Sequence, residues 1–155
     1  MEHPFQIRRL RENEIPAALD LAWAVFLEFE APEYPEEGVQ TFRAYLDDPA
    51  KTGSMTFYGA FDGAELVGTI FVRPPQHIGG FFVRGDHHRK GIGRALFDAV
   101  KQDDNRQAFT VNSSPFAVEV YRHLGFTTTD TEQQADGIRF TPMIYQQEKQ
   151  HAGTE

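Results

Sequence analysis

The stretch that most restricts the fold of this chain is His77–Val100, HIGGFFVRGDHHRKGIGRALFDAV, where an apolar run, a basic turn and an amphipathic pattern follow one another without a break. Gly79, Gly80, Phe81, Phe82 and Val83 are bounded by turn formers and rich in aromatic and branched residues, which predicts a strand buried on both faces. Beyond Asp86 the period changes. From Gly91 onward Ile92, Ala95, Leu96, Ala99 and Val100 recur at helical spacing while Arg94, Asp98 and Lys101 take the other side. A helix that starts at glycines directs its unpaired N–H groups and the positive end of its dipole at whatever lies in front, which favours an anion. Arg84, Arg89, Lys90 and Arg94 add positive charge here, in a chain whose formal net charge is -8. A basic turn with glycines for geometry alone is the competing reading.

The spacing narrows the kind of anion site. No Ser or Thr follows the Gly-Lys order of a Walker loop, and the third glycine of a dinucleotide fingerprint would fall at Leu96. At 155 residues and 40% hydrophobic content the chain is expected to form one domain over positions 1–155, with 146–155 as a frayed tail. No apolar run approaches the ~20 residues of a membrane helix. Met1-Glu2-His3-Pro4 lacks a basic-then-apolar signal segment, so a cytoplasmic protein without membrane partners is expected. Absence of cysteine excludes disulfides, thiolate metal sites and a cysteine acyl-enzyme. The acidic balance argues against nucleic-acid binding and favours cationic partners. His87 and His88, adjacent on a turn, do not present both rings to one ion, and no third ligand stands at a suitable offset, so no metal is expected.

Taken in order, Phe5, Ile7 and Arg9 alternate with polar neighbours as in a first strand. Asn13 is placed as a cap for a helix over 14–28, whose stripe is Ile15, Leu19, Ala22, Trp23 and Phe26. Val39, Phe42, Tyr45 and Leu46 outline a second, shorter helix that ends before Asp48-Pro49. Strands are expected over 55–61 and 66–72, joined by a hairpin at Asp62-Gly63. After the glycine helix, Ala108–Val111 reads as a strand parallel to the central one, and Ser113 or Ser114 starts a last helix that Gly125 stops. Two strands, 126–130 and 138–145, close the chain through a polar turn containing Asp136-Gly137.

His88-Arg89-Lys90-Gly91-Ile92-Gly93 resembles the pyrophosphate-binding signature of the GNAT superfamily of acyl-CoA-dependent N-acyltransferases: Gln or Arg, two residues, Gly, one residue, Gly or Ala. His88 replaces the usual Gln or Arg. Ser114–Phe126, SPFAVEVYRHLGF, resembles that family's second signature, with Ala117, Tyr121, Gly125 and Phe126 in register and Ser114 in place of Asn. The resemblance covers nearly the whole chain. It implies an α/β (α+β) fold of one domain, a mixed central sheet of about seven strands flanked by about four helices.

What the resemblance implies chemically is a ternary complex in which an amine attacks the thioester of acetyl-CoA directly. Phe82, Val83 and Arg84 would then hold the pantetheine and thioester oxygen, and His88, Arg89, Lys90, Gly91, Ile92, Gly93 and Arg94 the pyrophosphate. Asn112 or Ser114 would reach the pantetheine arm, and Tyr121 would protonate the leaving thiolate. The base is left among His77, Glu28, Glu30 and a carboxylate acting through water, with His77 read first as a structural strand-end residue. The acidic and aromatic run Glu28–Glu37 lies where the family builds its acceptor site, although such a run is more often a solvated loop. The acceptor, a small-molecule or peptide amine, is unnamed by the sequence, and a homodimer is left open. A non-catalytic acyl-CoA sensor is the alternative function.

Overall fold

The computed structural model describes residues 5–103 and 108–147. Eight strands form the sheet: β1 (Phe5–Arg9), β2 (Thr56–Asp62), β3 (Glu65–Arg73), β4 (His77–Val83), β5 (Ala108–Ser113), β6 (Thr127–Thr128), β7 (Gln133–Ala135) and β8 (Ile138–Gln146). Their order is β1-β2-β3-β4-β5-β8-β6, with β7 pairing with β8 as well. β4 and β5 are parallel and the other pairings antiparallel, so the sheet is mixed as expected. Helices α1 (Ile15–Phe29), α2 (Glu36–Leu46) and the short α3 (Pro49–Thr52) precede β2; α4 (Ile92–Asp103) and α5 (Val118–His123) follow β4 and β5.

Two apolar cores lie on opposite faces. One joins Ile92, Leu96, Phe97 and Val100 of α4 to Ile70, Phe109, Phe126 and Met143; the other joins Ala18, Ala22, Val25 and Phe26 of α1 to Phe57, Phe71 and Phe82. Each buried Phe contributes about 2–3 kcal/mol of transfer free energy, so the stripes on α1 and α4 settle which way those helices roll. Among the described residues no helix is long and apolar enough to cross a membrane.

Several local expectations change. Asn13 lies inside a short 3-10 turn, Glu12–Glu14, and Glu14 receives the Arg11 N–H at 2.7 Å. Asp48 caps α3 through bonds from the Ala50 and Lys51 N–H groups, a helix too short for a periodic signal. The polar stretch before Asp136-Gly137 contains β7, because both turn residues adopt left-handed φ (54° and 80°) and close a two-residue hairpin onto β8. Of the expected tail, Gln146 ends β8 and residues 148–155 lie outside those described.

The central strand departs most instructively. Instead of being buried on both faces, β4 alternates: Ile78, Gly80 and Phe82 are buried while His77, Gly79, Phe81 and Val83 are partly open. Phe71 pairs with Gly80 and Val72 with Ile78, so Gly79 is an extra residue, a β-bulge. The bulge reverses the faces, which is why Ile78 packs with α4 but Phe82 with α1. A Cβ at Gly80 would come within 2.1 Å of the fully buried Phe71 ring, itself stacked on Phe57 at 4.6 Å. Gly80→Ala is therefore expected to cost about 2–3 kcal/mol through overpacking. Urea denaturation should show it, and should show a smaller loss, about 1 kcal/mol, for Gly63→Ala, where the added atom meets open space and only the positive φ is strained.

Candidate active site

At the start of α4 the first helical bond runs from the Ala95 N–H to the Gly91 carbonyl at 3.0 Å, so the preceding N–H groups point forward without helical acceptors. Gly91 has φ 82°, and a Cβ added there would meet nothing within 4 Å: the loop backbone faces open space. Ile92 is buried and anchors the loop in the core. Arg89, Gly91, Gly93, Phe116 and Val120 border a cleft of about 350 Å³.

Not every residue expected to bind joins this cleft. Arg84 gives its N–H to the Val67 carbonyl (2.9 Å), its carbonyl accepts from the His87 N–H (2.9 Å), and its guanidinium is held by Glu65 and Asp86. Arg94 donates to the His123 carbonyl at 2.8 Å, tying α4 to the end of α5. Lys90 is exposed beside the loop and does not line the cleft. His87 is wedged between Asp62 (3.0 Å) and Asp86 (2.8 Å), both of which raise its pKa. His88 does line the cleft, and its Nε2 pairs with the Val83 carbonyl at 2.8 Å and so carries a proton, while its ring lies 4.9 Å from that of Phe29. Where the family places Gln or Arg, this chain has a strut between loop and strand.

β4 and β5 pair only at His77 with Thr110 and Ile78 with Val111. Beyond Ile78 they diverge, and a gap opens between them. A second cleft, about 630 Å³, lies on the α1 and α2 side. Glu30, Phe81, Phe82, Ala117 and Tyr121 line both clefts, so the two meet through the gap.

Tyr121 is fixed by the way α5 ends. The Phe126 N–H bonds the Tyr121 carbonyl and the Gly125 N–H the Arg122 carbonyl, both at 3.0 Å, a Schellman closure with Gly125 at φ 105°. The same closure sets the Phe126 ring edge-on to Tyr121 at 5.2 Å, and Phe81 packs from the other side at 5.8 Å. Burial raises the Tyr121 pKa, and the charge of Glu30 raises it further. The phenol stays protonated.

Glu30 follows α1, and its N–H still reaches the Phe26 carbonyl at 2.9 Å. Its carboxyl keeps a little surface in the cleft but is surrounded closely enough that desolvation pushes its pKa up to about 7, against the opposing pull of the Ser114 side chain. Glu28 is exposed on the outer side of the same helix. His77 bonds Thr110 Oγ1 through Nδ1 at 2.8 Å, and burial, helped by Arg73, lowers its pKa to about 4. Of the three base candidates only Glu30 stands at the junction, a distinction that spacing along the chain does not carry. Asn112 and Ser114 line the larger cleft, and Ser114 Oγ also accepts the Ala117 N–H at 3.2 Å. From the acidic run, Tyr34 and Glu37 join Glu30 in that cleft.

Glu30 has a pH signature. Its folded pKa of about 7 exceeds the ordinary 4.5, so between those values the folded chain keeps a proton that the unfolded chain releases, and stability falls as pH rises through that window. His77 acts oppositely, losing stability as pH falls from 6.5 towards about 4. Glu30→Gln should remove the first component alone. Denaturant titrations across the range should show the variant gaining on the parent as pH rises from 4.5 to 7; parallel curves would place Glu30 in water.

The sequence matches the acetyltransferase (GNAT) domain family over residues 30–147. No curated protein matches it significantly. Among solved structures, a GCN5-related N-acetyltransferase from Rhodopseudomonas palustris superposes with a TM-score of 0.79 at 21% identity, covering 94% of this chain and 97% of that one. The PaiA N-acetyltransferase of Thermoplasma acidophilum, solved with coenzyme A, gives 0.70 at 16% identity, covering 93% and 99%. An aminoglycoside 6'-N-acetyltransferase, also solved with coenzyme A, gives 0.62 at 13%, covering 91% and 96%.

Proposed function

Since this chain belongs to the GNAT acetyltransferase family, we propose that it is an N-acetyltransferase that moves the acetyl group of acetyl-CoA to an amine by direct attack in a ternary complex. The observation that carries this reading is the meeting of two clefts at Glu30 and Tyr121. In this reading the narrow cleft takes the coenzyme. The N–H groups from Gly91 to Arg94 and the open space before Gly91 suit a pyrophosphate, with Arg89 and Lys90 beside it. The backbone of Phe82 and Val83 lies along the gap, where an N–H aimed at a developing oxyanion is worth ~3 kcal/mol. Bound acetyl-CoA supplies an activated acyl thioester.

The chain's own groups handle the protons. Glu30 takes one from the incoming ammonium. Transfer from an amine of reference pKa ~10 to a group near 7 is uphill by about 3 units, against about 6 for an ordinary glutamate, or roughly 4 against 8 kcal/mol. Tyr121, held neutral by burial, gives its proton to the sulfur that leaves. His77, with its pKa near 4, is too weak a base for this task and stays a strand-end residue bonded to Thr110. A sensor that only held acyl-CoA would have no use for a buried carboxyl at the junction, which favours the enzyme.

Acetyl-CoA should raise the melting temperature, since a ligand at a hundredfold excess over Kd adds about 2.7 kcal/mol, and ATP should raise it less. In Gly93→Val that shift should vanish while the fold survives, because a Cβ there meets only the Phe81 ring at 3.5 Å, an ordinary contact. A folded Gly93→Val protein with an undiminished shift would move the coenzyme elsewhere.

Tyr121→Phe removes one hydroxyl and leaves the ring between Phe81 and Phe126. With any amine that supports thiol release, kcat should fall ~10²-fold with the KM for acetyl-CoA little changed. A variant with ordinary turnover and only a loss of stability would restrict Tyr121 to packing.

A further inference from the structure

The larger cleft is electrically polarised along its length. One wall is α2, which runs from Glu37 past Thr41 to Tyr45, and the other is β4, which runs the opposite way from Phe82 back to His77. The direction is fixed by two contacts: Phe42 lies 5.7 Å from Phe82, and the Tyr45 hydroxyl donates to the Gly79 carbonyl at 2.9 Å. Carboxylates gather at the Phe82 end, Glu30 at the junction and Glu37 on the first turn of α2. Cations gather at the His77 end. Arg73 is the β3 partner of His77, and the Lys51 ammonium lies 5.9 Å from the Tyr45 ring centroid.

Neither Arg73 nor Lys51 forms an ion pair among the described residues. Asp48 also lines this part of the cleft, with its Oδ1 accepting the Ala50 and Lys51 N–H groups at the start of α3. Both are exposed side chains that line the cleft, so their charge is available to a ligand there. Between the poles the walls are aromatic, from Phe42, Tyr45, Phe82 and Phe140.

We infer that the acceptor is an elongated small molecule with an amine at one end and an anionic group, carboxylate or phosphate, at the other, the amine placed at Glu30 and the anion between Arg73 and Lys51. This rests on the acetyl-transfer reading above. Five residues of strand separate His77 from Phe82, about 16 Å at ~3.3 Å per residue, and the side chains reaching in from each pole leave on the order of 10 Å for the acceptor. A single α-amino acid, with amine and carboxylate on one carbon, is too short. A tripeptide of about three residues at ~3.4 Å spans it. Its C-terminal carboxylate would meet the Arg73 fork, and an apolar middle residue the aromatic walls.

The test compares thiol release from acetyl-CoA with Gly-Phe-Gly, its C-terminal amide, glycine alone, and aminoalkyl phosphates of matched and shorter length. The free tripeptide is expected to exceed its amide by about tenfold or more in kcat/KM, carried by KM, in line with charge-assisted bonds. Preference for the matched aminoalkyl phosphate over the tripeptide would identify the anion as phosphate; the reverse would identify carboxylate. In the Arg73→Gln, Lys51→Gln double variant the preference for the anionic member should disappear while the KM for acetyl-CoA holds. Equal rates for acid and amide together with no preference for the matched aminoalkyl phosphate over the shorter one, or an anion preference that survives the double variant, overturns the inference and leaves acetyl transfer standing. A protein that neither shifts with acetyl-CoA nor releases thiol with any amine fails the reading beneath, and this one with it.

Discussion

Everything at the site depends on one interruption of backbone pairing. Had β4 continued beside β5 past Ile78, a wall of ladder hydrogen bonds would separate the face carrying α4 from the face carrying α1. Instead the extra residue Gly79 switches the faces that the side chains of β4 take, and the pairing with β5 stops. An unsatisfied backbone group at such a place costs about 1–3 kcal/mol, so the interruption needs its own partners. Tyr45 supplies one to the Gly79 carbonyl and His88 another to the Val83 carbonyl. Both come from outside the sheet, one from α2 and one from the glycine loop. The gap is a built feature with α2 fastened to one end and the glycine loop to the other.

The gap also explains why two titratable groups of different type are shifted as they are. Glu30 and Tyr121 lie where two clefts join, surrounded by Phe81, Phe82 and Ala117. Removal of water raises both pKa values, since each group's charged form is its anion. For a carboxyl this brings proton affinity close to neutral pH; for a phenol, already protonated there, it makes release of the proton harder. The two groups are coupled: an ionised Glu30 makes ionisation of Tyr121 harder still, and a Glu30 that has taken up a proton relieves that opposition. His77 receives the same desolvation, but its charged form is the cation, so it moves down and away from usefulness.

Sequence reading was sufficient where the signal was local. The strand, turn and helix over 77–103 follow from residue spacing, as does the Gly125-Phe126 closure that seats Tyr121. It does not reach a side chain's partner that lies far along the chain. Arg84 looked like part of a basic patch because its neighbours Arg89 and Lys90 are basic; that Glu65 answers it depends on the pairing of β3 with β4. Arg94 likewise is claimed by the His123 carbonyl, 29 residues on. Glu30 and Glu28 are chemically identical in the sequence, and only the rotation of α1 against the sheet buries one and exposes the other. The bulge is invisible to a period-two pattern because Gly79 and Gly80 carry no side chain to reveal which face they take.

The losses and gains in the glycine loop have a common physical sense. With Arg84 and Arg94 committed to neighbours and His88 bonded to a carbonyl, the positive character in front of α4 comes chiefly from fixed backbone N–H groups and the helix dipole, with Arg89 and Lys90 at the margin. Fixed dipoles need no reorganisation to meet an anion, whereas long cationic side chains lose rotamer freedom when they do. These side chains also hold the loop still: Arg84 ties it to β3, Arg94 ties α4 to α5, and His88 ties it to the end of β4. A histidine in place of Gln or Arg is therefore compatible with the proposed anion site, since its ring bridges turn and strand through Nε2 and the backbone N–H groups stay in front of α4.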